Sequence, residues 1–147
     1  SVLKKTRKMK NLTLTIVLIF TSLFSFAQEA SSNTITVIID NVSNDNGTVL
    51  VSLHNKDTFM KGAGIQDLQS KIENGKIKVI FENVVPGEYA IMALHDENDN
   101  KRMDFELNGM PKESYGMSGN DMSFGPPNFV DAKFELSDKD LEFNIRF

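Results

Sequence analysis

Residues 76–95, KIKVIFENVVPGEYAIMALH, decide how this chain is read. The first part alternates polar and apolar side chains, which puts Ile77, Val79 and Phe81 on one face of a strand. Val85-Pro86-Gly87 then interrupts the run, because Pro presets φ and Gly supplies the turn geometry. Glu88 to His95 is apolar on both faces, the pattern of a central strand covered on two sides. One half-buried strand, a tight turn and one fully covered strand predict a layered β structure.

Upstream, residues 34–42 carry Ile35, Val37 and Ile39 on one face, and residues 48–54 carry Val49, Val51 and Leu53. Asn44-Asp45-Asn46-Gly47 lies between them, and Asn and Gly tolerate positive φ, so the two runs predict a β-hairpin. Residues 56–64 read as a loop from which Phe59 and Met60 fold back onto the core. Residues 65–73 read as a strand ended by the turn Asn74-Gly75. Downstream, residues 129–136 and 141–147 predict two more strands around the turn Ser137-Asp138-Lys139-Asp140. No helix is expected after residue 28. About seven short strands separated by turn signals mean an all-β chain, a single β-sandwich of immunoglobulin-like or transthyretin-like kind over residues 34–147. Val51, Ile77, Val79, Phe81, Ile91 and Phe143 are the expected core, with Tyr89 largely covered.

The first 27 residues have a different character. Lys4, Lys5, Arg7, Lys8 and Lys10 form a basic head, Leu12 to Phe26 is apolar, and Ser25-Phe26-Ala27 ends it in small-x-small fashion. That is the layout of a secretory signal peptide, and the run is short for a membrane span of about 20 residues. Residues 1–27 are therefore expected to be removed, leaving an exported periplasmic or extracellular domain without a membrane span. Of the 16 basic and 20 acidic residues, 5 basic and no acidic ones precede Gln28, so the remainder holds 11 against 20, a net −9. This balance and the lack of a basic stripe argue against nucleic acid as a partner. The chain has no cysteine, which excludes disulfides, a thiolate nucleophile and a lipid-anchored cysteine.

One stretch suggests specific chemistry. Directly after the central strand, Asp96, Asn98, Asn100 and Asp104 place oxygen-bearing side chains at relative positions 1, 3, 5 and 9. A hard cation such as Ca2+ takes six to eight oxygens, and loops with this spacing wrap one. An EF-hand loop would have Gly at position 6 and Glu at position 12, where this chain has Lys101 and Leu107, with Glu106 one place early. Two readings stand: a Ca2+ loop with Asp96, Asn98, Asn100 and Asp104 as ligands, and a solvated acidic turn. His54 and His95 both fall at strand ends, where a Zn2+ or Cu2+ site competes with ordinary hydrogen-bonded packing. The rest of the long segment, residues 96–128, contains Phe105, Tyr115 and Phe124. With Phe129 these argue against disorder, and Tyr115, Phe124 and Phe129 either pin the loop to the core or form an exposed stacking surface for sugar rings or a protein partner.

Three segments taken in order carry a resemblance: residues 81–90 (FENVVPGEYA), His95-Asp96-Glu97-Asn98, and Gly109-Met110-Pro111-Lys112-Glu113 with Phe124-Gly125-Pro126-Pro127. Together they resemble an uncharacterised family of exported bacterial proteins, domain of unknown function 2141 (DUF2141), over about residues 35–147. The resemblance implies an extracytoplasmic β-sandwich and no known activity. It also implies an acidic loop of the form Asp-x-Asn-x-Asn-Gly-x-x-Asp, from which Lys101 departs. Ala27 followed by Gln28 is similar to export signals of Bacteroidetes-type bacteria.

The expected function is a non-catalytic secreted or periplasmic binding or structural module at the cell envelope. It would meet an envelope protein or glycan and take Ca2+ through residues 96–104. The competing class is a glycosidase-like hydrolase using Asp96 with Asp104, or Asp104 with Glu106, as its carboxylate pair.

Overall fold

Alternation with period 2 builds eight strands in a computed structural model that describes residues 31–120 and 125–147. In chain order they are β1 (Asn33–Ile39), β2 (Thr48–His54), β3 (Gln66–Lys71), β4 (Ile77–Val84), β5 (Gly87–Asp96), β6 (Tyr115–Met117), β7 (Phe134–Leu136) and β8 (Leu141–Asn144). A single helical turn, α1 (Phe129–Ala132), precedes β7. One sheet runs β4-β1-β8. The other runs β3-β2-β5-β6, with β7 pairing the first residues of β5. The signal peptide expected over residues 1–27 lies outside the described residues.

The two sheets form a sandwich whose filling is the inward set of each strand. Ile35, Val37 and Ile39 from β1 and Val49, Val51 and Leu53 from β2 are fully buried, with Phe81 and Ile91 among them. Ile77 and Tyr89 are also buried, while Val79 and Phe143 are half-buried and pack at the margin. The Tyr89 hydroxyl reaches back to donate to Val85 O at 2.8 Å, which fixes the corner where the chain leaves β4 for β5. Phe59 is buried in a smaller cluster with Ala90, Met117 and Ala132, whereas Met60 is exposed. Among the described residues every buried apolar side chain lies between Ile35 and Ile145, and Ser31–Phe147 forms one compact unit. It thus carries its own hydrophobic core, which is what a unit needs in order to fold alone. Among the described residues no helix is long and apolar enough to cross a membrane.

The hairpin expected over residues 34–54 does not form. β1 pairs with β4 and, in parallel, with β8, while β2 pairs with β3 and β5. Alternation fixes which face of a strand is inward. It does not say whether two inward faces meet along an edge or across a sandwich, and here the 40–47 connection crosses between sheets. The strand expected over residues 129–136 is also corrected. Its first half is α1, because Asn128 caps a helical turn by accepting from Asp131 N at 3.0 Å. The long segment read as loop contains β6, which covers the edge of β5 from Met92 to Leu94.

Two asparagine side chains hold the C-terminal segment in place. Asn41 donates to Phe147 O at 2.9 Å and accepts from Phe147 N at 3.2 Å. Asn120 donates to Asn144 O at 2.8 Å and accepts from Arg146 N at 2.9 Å. Each carboxamide offers one donor and one acceptor, as a neighbouring strand would.

Candidate functional site

β5 delivers its last two residues, His95 and Asp96, fully buried at the end of the larger sheet. The turn before β2 wraps this end. Gly47 (φ +65°) lies so close that a Cβ there would sit 2.0 Å from Asp96 O, so only glycine fits. Asn46 O is 2.9 Å from His95 Nε2, and the Thr48 hydroxyl donates to Asp99 Oδ1 at 2.8 Å. The His95 ring stacks on Phe147. With Nε2 donating to Asn46 O, its Nδ1 has no hydrogen-bond partner and lies 3.8 Å from Glu97 Oε1.

Asp96 organises the loop that follows. Its Oδ1 accepts from Asn100 N at 3.1 Å and its Oδ2 from Lys101 N at 2.7 Å. Asn98 Oδ1 accepts from the same Asn100 N at 3.1 Å, and Asn100 Oδ1 accepts from Arg102 N at 3.0 Å. The two amide nitrogens then converge: Asn98 Nδ2 is 2.6 Å and Asn100 Nδ2 2.8 Å from Asp104 Oδ2. Lys101 takes φ 64°, the left-handed conformation that glycine adopts without strain. The loop thus makes its tight turn despite the lysine.

The four residues singled out from the spacing, Asp96, Asn98, Asn100 and Asp104, are therefore brought together. Asp96 serves as a structural acceptor at the loop root, and the asparagines present nitrogen rather than oxygen to Asp104. A half-turn of each carboxamide exchanges the two atoms. Asp96 and Asp104 supply the carboxylates. Among the described residues no group of three or more His, Asp or Glu side chains stands ready to hold a metal, so a cation here depends on amide and backbone oxygens. The two histidines are apart: His54 sits opposite Ala90 and His95 opposite Val49 in the β2–β5 register. His54 is buried, its Nδ1 3.1 Å from the Thr58 hydroxyl and its ring edge-on to Phe59. Burial holds its pKa below the usual 6.5, opposed by Asp67 and a hydrogen bond at Thr58.

Spacing missed Glu113. This buried carboxylate clamps both ends of the loop, Oε1 accepting from Glu97 N and Oε2 from Asp104 N, each at 3.1 Å. Its only signal in the sequence was its place at the end of the segment Gly109-Met110-Pro111-Lys112-Glu113. For the paired carboxylates of a hydrolase, the cation beside Asp104 is the exposed Arg102, 4.0 Å from Oδ1. Glu106 lies exposed beyond the loop.

No curated protein matches the chain, and no solved structure does. A family model described as "Uncharacterized protein conserved in bacteria (DUF2141)" matches residues 37–144, which spans both sheets, the loop and Glu113, and the chain belongs to that family.

Proposed function

We propose that this chain is an exported, non-catalytic binding or structural module of the cell envelope whose 96–104 loop takes up Ca2+. The observation that carries the reading is the convergence of Asn98, Asn100 and Asp104 on one point, beside an Asp96 already fixed by two backbone N–H groups. Each Asp96 oxygen keeps a lone pair, and carboxamide rotation, which gives up the hydrogen bonds from Asn100 N and Arg102 N, would supply two more oxygens. Backbone carbonyls and water complete the shell. Glu113 supports the reading by holding the loop ends at fixed separation. A flexible all-oxygen loop suits Ca2+ over Mg2+, which gives up its water reluctantly. With two carboxylates the affinity falls in the range of extracellular modules, roughly 10⁻⁴–10⁻³ M.

The test is calorimetric titration of the 28–147 domain with millimolar Ca2+, paired with thermal melts. At ten times such a Kd, binding to the folded state alone adds about 1.4 kcal/mol. Asp104→Asn should abolish the heat and the melting shift, because it removes a carboxylate while keeping the side-chain shape. Asp96 is unsuitable for this purpose, since its loss leaves two backbone donors open. No heat and no shift in the parent domain would make the loop a solvated turn. Export is tested separately: mass spectrometry of the protein from its host should find an N-terminus near Gln28, and a retained basic head would overturn it.

A further inference from the structure

β3 and β4 are edge strands on the same side of the sandwich. Among the described residues β4 pairs only with β1 and β3 only with β2. The turn Asn74-Gly75 joins them and sets Glu73 opposite Lys76. Continued along both strands, that register puts Lys71 level with Lys78, Gln69 with Ile80 and Asp67 with Glu82. The hydrogen bond from Gln66 Nε2 to Glu82 O, 3.0 Å, agrees with it to within one residue. In an antiparallel ladder the main-chain groups of successive residues turn to opposite sides. Ile38 O accepts from Ile145 N at 2.9 Å on the β8 side, so Ile35, Val37 and Ile39 face β4. Their partners Phe81, Val79 and Ile77 bond to β1, and Lys78, Ile80 and Glu82 turn N–H and C=O to the open edge. Their side chains are exposed on the outer face, Ile80 at 45%.

We propose that this edge pairs with the same edge of a second copy of the chain, about a two-fold axis through Ile80. A two-fold interface must be complementary to itself, and the charges here form a palindrome. Ile80 meets Ile80, and Lys78 of each copy faces Glu82 of the other. The strand in the second layer repeats the arrangement about Gln69: the exposed Asp67 of each copy faces the exposed Lys71 of the other. Moving the axis to residue 78 or 82 sets lysine against lysine or glutamate against glutamate. Moving it to 79 or 81 sets a charge against Ile80. Residues 66–82 hold Asp67, Glu73 and Glu82 against Lys71, Lys76 and Lys78, so this edge is neutral on a domain of net −9, and two copies meet there with least repulsion. Lys78, Ile80 and Glu82 exchange main-chain hydrogen bonds with the second copy, as an added strand does. Asn83, at φ 56° where the register with β1 shifts, ends the pairing after Glu82. An edge about 20 Å long and two strands deep buries less than the ~800 Å2 per partner of a standard interface, which places the dimer in the micromolar range.

The 28–147 domain is used, because the apolar run before it would associate by itself. Sedimentation velocity should show monomer giving way to dimer as concentration rises through the micromolar range. The result should be the same in Ca2+ and in EDTA, so it stands or falls apart from the cation reading. Lys78→Glu should weaken the dimer by about tenfold to a hundredfold, since it turns two cross-strand pairs from attraction to repulsion. Glu82→Lys should do the same. Mixed together, the two variants should dimerise again, because each supplies the charge that the other lacks at both pairs. Ile80→Pro removes an N–H turned to the open edge, a position where strands accept proline. It should leave circular dichroism unchanged and abolish the dimer. A parent domain that stays monomeric into the millimolar range overturns the proposal. So does a dimer that tolerates either charge reversal, or a mixture of the two variants that stays monomeric.

Discussion

Removing the Glu113 carboxylate tests how the loop is held. Glu113 is buried, and its two oxygens satisfy Glu97 N and Asp104 N, the two ends of the acidic loop. Hydrogen bonds to a charged acceptor contribute about 1.5–3 kcal/mol each, and an orphaned buried donor costs about 1–3 kcal/mol. The loop surface is near enough for water to recover part of this. Glu113→Ala should therefore cost about 2–4 kcal/mol in urea titration. A domain of this size loses roughly 3–6 °C of Tm per kcal/mol, interpolating between size classes, so the melt should drop by about 6–24 °C. Glu113→Gln should fall between the two, because the amide keeps one acceptor and turns a donor toward the other N–H. If the loop opens by itself before the sandwich unfolds, the global cost is capped at the local opening free energy. The loss then appears as faster amide exchange at Glu97 and Asp104. A variant with a parental melt and parental exchange at both amides would refute the clamp.

Other expectations follow from single features. Phe81→Ala, at a fully buried site between the sheets, should cost about 3–5 kcal/mol by chemical denaturation. Gly47→Ala should cost about 2–4 kcal/mol, since it combines a positive φ with a Cβ 2.0 Å from Asp96 O, and the melt should report it. His54 has a folded pKa lowered from 6.5 by burial, so the fold prefers the neutral ring. That stabilisation is complete above pH 6.5 and is lost as pH falls through the lowered folded value. The Tm should decline from pH 7.5 toward 5, and less steeply in His54→Gln; parallel profiles would contradict it.

Strands were legible because a half-buried strand must alternate. The inward sets Ile35-Val37-Ile39, Val49-Val51-Leu53 and Ile77-Phe81 all point where the sequence says. Sheet membership was not legible. The same alternation serves β1 paired with β4 as it would β1 paired with β2, and only the three-dimensional path of residues 40–47 chooses. β6 escaped notice because three residues, Tyr115-Gly116-Met117, carry too little period. α1 carried a signal that was passed over: Asn128 with Asp131 three places on, ahead of a short apolar pair, is a helix start. The acidic loop was legible from spacing alone, since ligand geometry repeats along one strand of chain. Glu113 was not, because it reaches the loop through space, and the eight residues 105–112 between them hide the relation. His95 was found as a strand-end residue, but its stacking on Phe147 depends on a segment 52 positions away.

The pairing of β1 with β8 has a kinetic consequence. Ile35 finds its partner at Leu141, and both asparagine clamps act on residues after Leu141. A chain appearing from its N-terminus has the whole larger sheet's β2 and β5 in hand before it can finish the smaller one. Until residue 144 or so emerges, β1 has one open edge, and the smaller sheet lacks the side chains of Leu141, Phe143 and Ile145. Pairings this distant in sequence close slowly. The complete smaller sheet therefore forms only when almost all of the domain is available. Once the last strand docks, Asn41 and Asn120 latch it, and the delay ends in one step.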